Sequence, residues 1–509
     1  MDYVFSADPL VAHLYPGCTG PDLANNYLCG ELTLIEGDTV KIDRLGSTIR
    51  FGGQVTLGAN TTINKGGQSA DLTLDLGASI FLGAHATITA NVITTSSVTL
   101  DVGSTVYGTI STSTSLGMVV TKEGCVVTGA ISATDGAITI GNHNTVNGLI
   151  LAMAGAITIG SNSQIQGAIT ASAGAITVGN YSQVYGDITA SAGAVTVGFN
   201  SVVYAAIFAR SGIISIDHDT VIEADINGGV GNITTGENVM LGTALNPRNI
   251  YSLAGIVTLG ANNIIGNVST HAGGVFVGKG SKILSISSMA GNITIQDNAV
   301  IGPITSTVGI ITLLKNIIVN GNILSGDGAV NVESYSRVCG DIGVTGAGLV
   351  TVTTNVGIGG NITSDVGAIT VGGSLGNLTP NTTVGGTIAS NIGTLSIAFA
   401  IVGGNIISNG TMTVINSAVG GSISGGTITN TLDHATVSIA PPNCTFIPLP
   451  ELPIVGSTAS GLFDCLETGG QTAALYTKLA GTSFTFDIVA LKIDKTIENN
   501  YVVAGDPPK

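Results

Sequence analysis

Between positions 217 and 225 the chain places four carboxylates and an imidazole, Asp217, His218, Asp219, Glu223 and Asp225, although only 9% of its residues are charged. Oxygen ligands at such density would suit a hard cation such as calcium, and paired acids are also what general acid and base catalysis requires. Neighbouring residues of a strand or turn point in different directions, however, so these groups are expected to form a solvated charged corner. Repeats of the GGxGxD calcium-binding type are absent. Elsewhere the polar positions are mostly Thr, Ser, Asn and Gln, which offer no converging pair of titratable groups for cleaving a polysaccharide. No catalytic residue, cofactor or metal is therefore assigned, and the expected class is not an enzyme.

Cysteine is the next reactive type. Cys18 with Cys29, and Cys444 with Cys465, read as two local disulfides that tie down the chain's terminal segments. Cys125 and Cys339 lie too far apart in the sequence pattern to meet and are expected to be free thiols, the alternative being a link between molecules. Sequons at Asn60, Asn232, Asn292 and Asn361 invite a glycosylation reading, but each occupies a regular place in a repeated formula that explains it better. Thr139, Thr158, Thr177 and Thr196 form one file, with Thr170, Ser172, Thr189 and Ser191 a paired one, like the hydroxyl arrays of ice-binding solenoids. That pairing fails at Phe208 and Arg210, which favours ordinary solvated β-surface.

The elements that must carry these residues follow from a repeat. Gly136, Gly155, Gly174, Gly193 and Gly212 are spaced by 19, as are Ile150, Ile169, Ile188, Ile207 and Ile226; elsewhere, as from Leu82 to Leu100, the step is 18. Such a period identifies a solenoid. Within one unit, Ile157 and Ile159 flank Thr158, and Ile169 and Ala171 flank Thr170, which is the period of two of a strand. Each run ends at Gly or an Asn/Ser pair after about four residues, as glycine-tolerant corners require. The expected fold is all-β: a parallel β-helix of triangular cross-section, 18–19 residues per coil and roughly 20 coils, with a column of Ile, Val and Leu inside.

Four parts are expected. Residues 1–51 read as a cap without the repeat, rich in apolar residues such as Tyr3, Phe5, Leu10, Leu14 and Tyr15; 52–440 form the solenoid, with insertions at 243–252 and 375–383. Residues 441–470 read as a proline-rich linker and 471–509 as part of a β-sandwich, where Phe484 and Phe486 alternate with polar residues. An unfinished sandwich edge is a candidate donor for β-augmentation. A second candidate interface is aromatic: Tyr185, Phe199, Tyr204 and Phe208 crowd two adjacent coils of a chain with 4% aromatics. The bland alternative is a stacked ladder covering local backbone.

Net charge of −16 and the lack of a basic stripe argue against nucleic acid. Mean hydropathy is high at +0.51, yet no apolar run approaches 18 residues, so no transmembrane span is expected. MDYVFSADPL has neither a basic region nor an apolar core. Met1 is accordingly read as the start of a mature fragment whose secretion signal is gone.

Units such as TVGNYSQVYGDITAS resemble the polymer-forming bactofilins, whose triangular β-helices join end to end. Combined with the phrase LYTKLAGTSFTFDIVALKID at 475–494, the chain resembles large secreted proteins of MSHA-type pilus biogenesis, the MshQ-like group. That resemblance implies a bacterial cell surface or pilus association, a longer parent chain, and no catalytic residues. The expected function is an extracellular structural protein, a rigid stalk or self-associating filament subunit. A surface adhesin gripping a glycan or host partner is the alternative, ahead of a polysaccharide-active enzyme or an ice-binding protein.

Overall fold

The computed structural model describes residues 1–6, 10, 12–114, 117–373, 381–425, 428–429, 462–467 and 486–491. Alternation of β-branched and small polar residues folds as expected: a coil makes three short parallel strands on three faces, the second and third joined into one strand at Ile264–Thr270 and Lys282–Ser288. In one coil these are Ile157–Ile159 on the first face, Gln164–Ile165 on the second and Ile169–Ala171 on the third. Among the described residues the first face stacks 21 strands, which at a rung spacing of ~4.8 Å makes a rod about 100 Å long. It is a parallel β-solenoid. The register is one full repeat: Ile157 pairs with Ile176, Thr158 with Thr177 and Ile159 with Val178. Like residues therefore stack on like, and the inward Ile, Val and Leu form one continuous column with exposures near zero.

Each of the three corners has its own chemistry. At the first, between the first and second faces, one residue per coil takes a left-handed backbone, commonly Asn, as at Asn162 (φ 57°) and Asn200 (φ 53°). Asn tolerates that region better than other non-glycine residues. Just inside it, Ser163 and Ser182 each accept the N–H of the residue one coil earlier and donate to a glycine carbonyl, Gly141 and Gly160 respectively, 3.1 Å away. The buried hydroxyls are thus satisfied. At the second corner a file of Asn and Asp side chains bridges coils, for example Asn322 to the N–H of Asp341, and Asp341 to that of Asn361. The third corner carries a glycine column from Gly117 to Gly410 in which each carbonyl presses on the next glycine.

Three boundaries differ from the expectation. Coils begin before residue 52: Asp2–Phe5 pairs in parallel with Thr39–Ile42, Asn26–Cys29 with Ser47–Phe51, and Leu32–Leu34 with Val55–Leu57. Cys18–Thr19, which pairs antiparallel with Asn26–Cys29, departs from the coil path. Phe5 and Tyr27 meet edge to face inside that first coil, whereas Leu10, expected to cover it, is 94% exposed. The first expected insertion is also shorter, because Ile250–Ser252 is a regular rung on the third face. Likewise, Thr382–Val384 at the end of the second is a rung on the second face.

Residues 450–509 form a separate compact unit. In it, Leu462–Glu467 and Phe486–Leu491 pair antiparallel, so a strand lies within the stretch expected as linker. Phe484, Cys444 and the partial-sandwich assignment lie outside the described residues, as do the side chains of Phe486 and Cys465.

Candidate interaction surfaces

The acidic stretch is divided between two corners. Asp217, His218 and Asp219 lie at the first, where His218 Nδ1 is 2.7 Å from Asp219 Oδ2 and Asn238 Nδ2 donates to Asp219 Oδ1. Hydrogen bonding to Asp219 raises the His218 pKa, and the same bond lowers that of Asp219. Glu223 follows the second-face strand, and Asp225 belongs to the second-corner file, accepting the Asn249 N–H at 2.8 Å. Among the described residues no three His, Cys, Asp or Glu converge as metal ligands.

The four aromatics expected as one patch separate into three places. Tyr185 and Tyr204 stack at 4.4 Å at the second corner, where Tyr185 Oη donates to Gln183 and accepts from Gln164. Phe199 lies instead at the first corner, between Tyr181 (5.0 Å, edge-on) and the His218 ring (5.0 Å, stacked). Phe208, 38% exposed, stands alone on the third face opposite Thr189. The 19-residue repeat puts Tyr185 and Tyr204 in one outward file and Phe199 at a corner, but it does not say which corner each one occupies. The Tyr185–Tyr204 pair matches the bland alternative, a ladder covering its own coils. Tyr204→Ser is expected to cost about 1 kcal/mol through loss of the stack. Faster amide exchange confined to residues near 183–209 would report it; unchanged protection there would show that the stack contributes nothing.

Cys18 and Cys29 are disulfide-bonded and pair across a short antiparallel bridge. Cys125 is a buried free thiol whose burial raises its pKa, an inert structural cysteine rather than a nucleophile. Cys339 is disulfide-bonded, which corrects the free-thiol expectation. Of the sequons, Asn232 and Asn292 spend their side-chain oxygens on N–H groups of the next coil, Ile256 and Ile310. Threonines stack in the expected file on the first face from Thr139 to Thr196, which Ser215 and Thr234 continue and Phe276 interrupts.

One feature was not foreseen. A groove of about 540 Å³ opens at the first corner and second face beside Tyr335, Arg337, Asn355, Gly357 and Asn381. Gly357 stands between Arg337 and Thr383 on successive rungs, and the missing side chain makes the depression. Tyr335 is 62% exposed and holds the left-handed corner position (φ 66°) that Asn fills in neighbouring coils. A bulky residue there is strained, and strain of this kind concentrates at functional sites. The signal was readable: Tyr335 interrupts the Asn298, Asn316, Asn355 file. Among the described residues, no helix is long and apolar enough to cross a membrane. No protein-family model, curated protein or solved structure matches the chain.

Proposed function

We propose that this chain is an extracellular structural protein, a rigid solenoid rod acting as a surface stalk or self-associating filament subunit. The observation that carries the reading is the unbroken in-register ladder of 21 first-face strands, among the described residues, around a buried aliphatic column. Load along such a rod passes through every rung in series, and each coil leans only on its neighbours. The Cys18–Cys29 disulfide supports an oxidising compartment, and the resemblance to pilus-biogenesis proteins supports a bacterial surface. Electron microscopy of the purified full chain tests it: uniform rods of about 100 Å, singly or joined into filaments, are expected. Collapsed or heterogeneous particles would overturn the proposal.

A second reading, a module that grips a surface glycan, has the groove beside Tyr335 in its favour. Tyr335→Asn restores the corner formula, so thermal stability is expected to hold or rise, by about 0.5–1 kcal/mol. Retention on a glycan array is expected to fall at the same time. Retention by the parent that the variant keeps, or no retention by either, removes this reading.

A further inference from the structure

The third corner changes character along the rod. In the coils of Gly155 to Gly193, the positions beside the glycine column hold Ala173, Ala175, Ala192 and Ala194. The fold asks for nothing larger there. Over the ten coils from Gly212 to Gly393, equivalent positions hold Ile213, Val230, Ile256, Val308, Leu349 and Ile392, each 49–65% exposed. Four further side chains of the same kind, 43–58% exposed, lie among them. In-register stacking lines them up along about 45–50 Å of the corner, in eight of the ten coils, with the coils of Gly273 and Gly328 contributing none. With about half of each side chain bare, the strip amounts to roughly 800–900 Å² of apolar surface. Taken together, that equals one partner's share of a standard interface.

Charge on the strip is sparse and polarised. Across this corner and the outward positions of the adjoining faces, the ionisable groups are Arg210 and His271 in the first half, and Asp327 and Asp365 in the second. All four are exposed. A copy laid parallel and in register would set like charge on like. A copy related by a two-fold axis perpendicular to the rod sets Arg210 towards the acidic half with Asp365, and makes the contact self-complementary.

We propose that this apolar strip is the seam of an antiparallel homodimer, two rods side by side. It goes beyond the structural reading above, since either a stalk or a filament subunit can be paired this way. Sedimentation of the full chain is expected to show a dimer at about 10 µM. The variant Ile256→Asn, Val308→Ala, Ile310→Asn takes its residues from equivalent positions Asn232, Ala290 and Asn292, so the coil formula is kept. With melting temperature and circular dichroism unchanged, its dimer dissociation constant is expected to rise at least about tenfold. Orientation is read separately: Arg210→Asp should weaken the dimer, and Arg210→Asp with Asp365→Arg should restore it. A parent that stays monomeric at about 100 µM, or a triple variant that dimerises like the parent, overturns the seam. Failure of the charge exchange to restore pairing overturns the antiparallel arrangement.

Discussion

Gly193→Ala is expected to open the rod locally, at a cost of about 3 kcal/mol or more. A Cβ at this position would lie 2.0 Å from the Gly174 carbonyl oxygen, 2.3 Å from its carbon and 2.6 Å from the Ala175 nitrogen. All three atoms are backbone, so no rotamer change relieves the clash, and the coils must splay. Each coil is held only by the ones above and below, so the damage stays near residues 174–212. Amide exchange or limited proteolysis should map the opening there. Gly52→Ala is the control: its Cβ meets nothing closer than the Cys29 oxygen at 3.9 Å, so it should be neutral. If Gly193→Ala leaves protection as in the parent, the stacked glycine corner is not as described.

Ile169→Asp is the second large effect. Ile169 is fully buried between Ile150 and Ile188 on adjoining rungs, and an aspartate there would find only aliphatic neighbours. An unpaired carboxylate in such surroundings costs several kcal/mol. The variant carboxyl would respond by raising its folded pKa. Its folded form then holds the proton longer than the unfolded one, so the destabilisation is smallest in acid and grows as pH rises above about 4. Ile169→Val should cost only about 0.5–1.5 kcal/mol. Loss of exchange protection around residues 150–190, with distant coils unchanged, is the expected pattern. An aspartate variant as stable as the valine one at neutral pH would show that the position does not face the column.

The rod was legible because its repeat is also its register. A spacing of 19 residues between Ile150, Ile169 and Ile188 became direct cross-rung pairing, and alternation around Thr158 and Thr170 separated inside from outside. The first coils escaped notice because their steps are uneven. From Leu32 to Val55 is 23 residues, from Val55 to Ile80 is 25, and only from Ile80 to Val98 does 18 appear. Loops at the corners absorb the excess while the strands still stack.

What the sequence by itself determined is which side of the wall each side chain occupies, since that depends only on period two and a constant step. Along one file the constant step also gives the neighbour, as for Tyr185 and Tyr204; which corner each file occupies was decided by the tertiary structure. Tyr204 and Phe199 are five positions apart yet stand at different corners, the second and the first. Ile213, Val230 and Ile392 read singly as stray apolar residues beside glycines. Coil stacking lines them up along one corner, because a corner position recurs once per turn and each turn advances the chain by only one strand spacing.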